Sequence, residues 1–155
     1  MTFLDALHSQ RLFFDGGTGT LLQAQGLKGG ELPETWNLRY PERIQAVHKA
    51  YLEAGSHVIC TNTFGANALK FPDGGEWDLD EIVRAAVANA KKARAETGRE
   101  NDAYIALDMG PTGRLLRPMG DLDFEDAVAL FARVVRVGAQ AGADLVLIDT
   151  MSDGY

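Results

Sequence analysis

Ala54-Gly55-Ser56-His57-Val58-Ile59 and Ala141-Gly142-Ala143-Asp144-Leu145-Val146 share one layout: a helix ends, a glycine caps it, two residues link, and an apolar strand begins. The echo makes alternating strand and helix the reading of the whole chain. Carried onward, its register pairs Asn62 with Asp149 and Thr63 with Thr150, so polar residues stand at equivalent strand ends. Before the first copy, Pro41 to Ala54 sets Ile44, Val47, Tyr51 and Leu52 on one helical face, with proline in the first turn and Gly55 at the end. Before the second copy, Phe124, Val128, Phe131 and Val135 recur at helical spacing from Asp123, flanked by Ala127, Leu130 and Val134, until Gly142. Between the two, Asp78 followed by Glu81 resembles a capping box, and Ile82, Val83, Ala86, Val87 and Ala90 form an apolar stripe that stops near Gly98.

Four apolar runs, Leu12 to Phe14, Val58 to Cys60, Tyr104 to Leu107 and Leu145 to Ile148, are too short for helices and continuous, as parallel strands buried on both faces are. Their starts lie roughly 41 to 46 residues apart, against about 31 per unit in a 250-residue (β/α)8 barrel, so the loops after the strands are long. Asp73-Gly74-Gly75-Glu76 reads as an exposed turn within one such loop, and residues 1–155 read as a single domain.

An apolar share of 46% permits one compact core. A net charge of −7 leaves no basic footprint for nucleic acid. The single cysteine, Cys60, excludes an internal disulfide and a multi-cysteine metal cage built from this chain, which fits a reducing, cytoplasmic setting. The opening MTFLDALHSQRLFF carries Asp5 and no long apolar run, so neither a signal peptide nor a membrane span is expected.

Ligands of parallel α/β folds lie beyond the carboxyl ends of the strands, which directs attention to Asp15, Asn62, Asp108 and Asp149. Each alone serves as well to cap a helix or fix a turn. Together they outline a polar cavity in which Asp15 and Asp149 hold an ammonium while Asn62, Thr61 and Thr63 complete hydrogen bonds, a set suited to a zwitterionic amino acid. Asp15-Gly16-Gly17-Thr18-Gly19-Thr20 opens a short helix through Leu21 and Leu22, and its backbone N–H groups suit a carboxylate. A structural tight turn is the competing reading; a dinucleotide loop is disfavoured because the spacing is not G-x-G-x-x-G and Asp15 would repel a pyrophosphate. Arg114 and Arg117, in the Pro/Gly-rich loop after Asp108, serve as anion contacts or as surface charges. Cys60 reads as a small buried thiol, and His8, His48 and His57 as helix-face or turn residues without metal-ligand spacing.

Phe14-Asp15-Gly16-Gly17-Thr18-Gly19-Thr20, Pro33-Glu34-Thr35-Trp36-Asn37, Thr61-Asn62-Thr63-Phe64-Gly65-Ala66-Asn67, Gly110-Pro111-Thr112-Gly113-Arg114-Leu115-Leu116 and Leu147-Ile148-Asp149-Thr150-Met151-Ser152-Asp153 together resemble the homocysteine S-methyltransferases, above all the homocysteine domain of cobalamin-dependent methionine synthases. The resemblance runs along essentially the whole chain. It implies an α/β fold made of the first four strand–helix units of a (β/α)8 TIM barrel. It also implies that zinc, held by three cysteine thiolates from later strands, keeps the homocysteine sulfur a thiolate for methylation. By motif, Asp15, Gly16, Gly17, Thr18 and Asp149 contact the polar end of the amino acid, and Asn62, with Thr63 beside it, lies near the sulfur. A methylcobalamin donor is the favoured implication.

Two departures stand out. Asp149 occupies a place where the family usually has glutamate, and the sequence given ends at Tyr155, before the strands that carry the zinc cysteines. No metal ligand is therefore expected within this chain. Open sheet edges would call for a C-terminal half-barrel or a second copy as partner. A non-catalytic amino-acid-binding half-barrel, or a folding fragment that self-associates, is the alternative.

Overall fold

The computed structural model describes residues 2–152, in the order α1 (Phe3–Ser9), α2 (Gly19–Ala24), a 3-10 turn (Pro33–Thr35), α3 (Trp36–Arg39), α4 (Pro41–Glu53), β1 (Val58–Cys60), α5 (Leu79–Glu96), β2 (Tyr104–Met109), α6 (Phe124–Ala141) and β3 (Leu145–Ile148). Local chemistry sets the helix ends. Pro41 opens α4, and Gly55 follows it at a φ of 104° that only glycine adopts freely. The Asp78 carboxylate accepts the Glu81 amide at 2.9 Å to start α5, so the N-cap half of the expected capping box is present. Gly142, at φ 96°, closes α6 with its N–H on Gly138 and Ala139 carbonyls.

The strands form one parallel sheet in the order β1-β2-β3, with Cys60 opposite Ala106 and Asp108 opposite Leu147. The α/β expectation with a parallel sheet is met, and the first of the four expected strands is pared down at the sheet edge. Leu12 to Phe14 forms only a single bridge, Phe14 to Val58, and no helix follows β3 among the described residues. The cause lies in Asp15. Its backbone N–H reaches the Val58 carbonyl at 2.9 Å, and its side chain then takes the Cys60 N–H at 2.8 Å, where a continued ladder would have used a main-chain carbonyl. Asp153 and Tyr155 lie outside the described residues.

Strand periodicity sorts the side chains onto two faces. Ile59, Ile105, Leu107 and Met109 pack beneath the helices, against Ala90 and Ala93 of α5 and Val134 and Val137 of α6. Val58, Tyr104, Ala106, Leu145 and Leu147 form the opposite, inner face, closed at its lower end by Ala6 and Phe3 of α1, with Phe3 edge-on to Tyr104 at 5.4 Å. Helix α6 is rotated from the expected stripe. Ala127, Val134, Val137 and Gly138 are buried and Phe131 and Val135 half-buried, whereas Phe124 and Val128 are exposed. Close approach decides this: a Cβ at Gly138 would stand 2.5 Å from Leu107 Cδ2, so the helix seats on its smallest residue. Val146 and Ile148, on the helix side of β3, are left exposed as well. No helix among the described residues is long and apolar enough to cross a membrane.

Candidate functional site

Beyond the carboxyl ends of the strands opens a cavity of about 670 Å3. Inner-face alternation delivers Cys60 from β1, Asp108 from β2 and Asp149 from just past β3 to its wall, and the Asp15 carboxylate, fixed by the Cys60 amide, joins them. The Pro33–Thr35 turn adds Glu34 from above. Asn62 ties that turn down, donating from Nδ2 to the Pro33 carbonyl at 2.8 Å while its own carbonyl accepts from Asn37 Nδ2 at 2.7 Å. The Asn62 Oδ1 has no hydrogen-bond donor among the described residues.

Gly16, Gly17, Thr18 and Gly19 line the same cavity, and none of their N–H groups meets an acceptor among the described residues. Tyr51 holds this loop from outside, its hydroxyl donating to the Gly17 carbonyl at 2.9 Å and crowding the place of a Gly16 Cβ at 3.0 Å. Helix α2, which the loop opens, has only six residues, so the loop amides themselves carry the anion-binding capacity.

Electrostatically the wall is acidic, and no Lys, Arg or His lines it. Burial raises the Asp15 carboxyl above its ordinary range, against the lowering effect of the Cys60 amide. Asp108 is pushed up to about 7, first by burial and then by Asp149, Asp15 and Glu34. Burial, reinforced by Asp15, pushes the Cys60 thiol up, so in the metal-free chain it stays a thiol.

Of the residues expected at the site, Asp15, Gly16, Gly17, Thr18, Asn62 and Asp149 come together on this wall. Thr63 does not join them: it is buried off the cavity, where its hydroxyl donates to the Asp108 carbonyl at 2.7 Å and bonds Thr61 Oγ1 at 2.7 Å. Its role is to hold the strand end. Arg114 and Arg117 are no contacts of this cavity either, being paired with Asp121 and Asp123 within their own β2–α6 loop. Cys60 lines the cavity half-buried instead of vanishing into the strand. His48 is fully buried on α4, with neither ring nitrogen hydrogen-bonded. Sequence reasoning missed Glu34, for a loop side chain has no periodicity to place it. Asp108, one of the four strand-end residues expected to outline a polar cavity, is on the wall as well.

Residues 12–154 match the sequence profile described as homocysteine S-methyltransferase. This chain belongs to that family. The methionine synthase of Mycobacterium tuberculosis is 29% identical over 97% of this chain and 13% of its own length, and that of Mycobacterium leprae is 28% identical over the same shares. Among solved structures, the metallated form of the homocysteine methyltransferase MmuM from Escherichia coli superposes with a TM-score of 0.80 at 26% identity, covering 95% of this chain and 56% of that one. Its oxidized form gives a TM-score of 0.75 at 27% identity over 90% and 53%. This member of the homocysteine S-methyltransferase family thus spans about half of MmuM and about an eighth of the methionine synthases.

Proposed function

We propose that this chain supplies the homocysteine-binding part of a methyl transfer, in which the substrate's thiolate sulfur takes a methyl group from a donor. The observation that carries the reading is one cavity with carboxylates, Asp15 and Asp149, beside a loop of unengaged N–H groups at Gly16, Gly17 and Thr18. An α-amino acid bears the complementary ammonium and carboxylate on neighbouring atoms. Its ammonium lies toward Asp15 and Asp149, its carboxylate toward the loop amides, and its thiol-bearing arm runs on past Asn62.

Zinc, the family's expected thiolate-forming ion, does not fit the described residues. Cys60 is their one thiol, and no group of three His, Cys, Asp or Glu side chains is arranged for a metal. This chain's own share is binding and orientation. The thiolate-forming centre and the donor, with methylcobalamin favoured by the resemblance, belong to a segment beyond these residues. A cytoplasmic, reducing setting suits the unpaired Cys60.

Exposed Phe124, Val128, Val146 and Ile148 on one flank, and Leu4, Leu7 and Phe13 on another, support a covering partner. A second copy closing a barrel would bring a second set of Asp15, Glu34, Asp108 and Asp149 to the same mouth, so a complementary C-terminal half-barrel is the better match.

Calorimetric titration of homocysteine into the chain, alone and mixed with a zinc-bearing C-terminal half from a related barrel, followed by an assay for methylated product with methylcobalamin added as donor to each, tests the reading. Binding in both and methyl transfer only in the mixture is the expected result. Binding without transfer in the mixture would favour the second reading, a non-catalytic amino-acid-binding half-barrel. No binding in either would remove the substrate assignment altogether.

A further inference from the structure

Three carboxylates reach the cavity from the strand ends, and the reading above uses only Asp15 and Asp149. The third, Asp108, has a buried Oδ1 with no hydrogen-bond partner. Its backbone is clamped on both sides: Thr61 Oγ1 accepts its N–H at 3.2 Å and Thr63 Oγ1 donates to its carbonyl at 2.7 Å. A second residue points the same way. Glu34, only 4% exposed, is fixed through Oε1 by the Gly65 amide at 2.6 Å, while its buried Oε2 on the same wall is unpartnered. Buried acceptors without donors are costly, and no basic side chain lines the cavity to supply one. A ligand that carries donors answers both. An ammonium carries three N–H donors, and two carboxylates leave one unmatched.

We propose that Asp108 is the third carboxylate of the ammonium seat and the residue by which this cavity selects an amino acid over its des-amino counterpart. The inference rests on the amino-acid reading of the cavity. Asp15, Asp149 and Glu34 are the charged groups that face Asp108, with the neutral Cys60 thiol among them. Together with burial they leave a proton on Asp108 near neutrality in the empty cavity. The arriving ammonium replaces that proton, which passes to solvent, so the charge of the seat is conserved.

The test is calorimetry on the full chain at pH 7, with homocysteine and with 4-sulfanylbutanoate, which lacks the amino group, in two buffers of different ionisation enthalpy. The wild type is expected to prefer homocysteine and to release a fraction of a proton on binding it. Asp108→Asn, which removes the charge and keeps the shape, should abolish that release and weaken homocysteine about ten- to a hundredfold. It should leave 4-sulfanylbutanoate unaffected. An Asp108→Asn chain that binds homocysteine as tightly as wild type overturns the proposal while the amino-acid reading stands. So does a wild type that binds homocysteine with no proton release, an outcome that needs no variant to fold. If the wild type binds neither compound, the amino-acid reading falls and this proposal with it.

Discussion

Burial acts on Asp108 and His48 in opposite senses, because one becomes charged by losing a proton and the other by gaining one. Asp108 has a folded pKa near 7, above the ordinary 3.8, so the free chain loses stability as pH rises between those values. Asp108→Asn should therefore raise the urea midpoint most above pH 7 and leave it unchanged below pH 3.8. For His48 burial lowers the pKa from 6.5 to about 4. Between those values the unfolded chain binds the proton and the folded chain refuses it, so stability falls as pH drops through 6.5 and levels off below about 4. The loss amounts to about 3 kcal/mol over the full window. Both ring nitrogens lack partners, so His48→Leu should leave the midpoint nearly unchanged at pH 7.5 and remove most of the decline toward pH 5. A variant that declines as steeply as wild type would show that the acid sensitivity lies elsewhere. At this scale the sequence was most informative where a strand ended: Asp15, Asp108 and Asp149 were identifiable because strand ends point at ligands. The placement of Thr63 was not legible, because its neighbours Thr61 and Asn62 line the cavity while it turns back to the Asp108 carbonyl.

Helix boundaries were legible in the sequence because they depend on local chemistry. Pro41, Asp78, Gly55 and Gly142 each act within a turn of their own position. Asp78→Ala should cost about 1 kcal/mol in urea denaturation by removing the acceptor for the Glu81 amide. Which face of α6 docks was not legible, since periodicity counts apolar residues and ignores their size. Phe124 and Val128 fit the stripe, yet the sheet contact is set at Gly138, over a Leu107 distant in sequence. Gly138→Ala tests this contact. Alanine favours a helix by about 1 kcal/mol over glycine, but Leu107 is fully buried and has little room to move, so a net loss of about 1 kcal/mol is expected. A gain in stability would mean that α6 is seated loosely. The short first strand was equally hidden. Three apolar residues announced it, and an aspartate side chain, whose hydrogen bond no pattern records, ended its pairing.

At the scale of the molecule, the net charge of −7 opposes the apolar flanks. Self-association by light scattering is therefore expected to be weak at low ionic strength and to strengthen with salt, which screens the repulsion. Phe124→Glu with Ile148→Glu should abolish it, both residues being exposed and apolar; association that persists in this variant would place the contact elsewhere. The acid-walled cavity reaches further than recognition. Its unpartnered Glu34 and Asp108 oxygens strain the empty fold, and a ligand that satisfies them binds the folded chain alone. Openings that expose the backbone to a protease then become rarer as the amino acid accumulates. On the function proposed above, the chain's lifetime would follow the supply of its own ligand, shortened by scarcity and preserved by abundance.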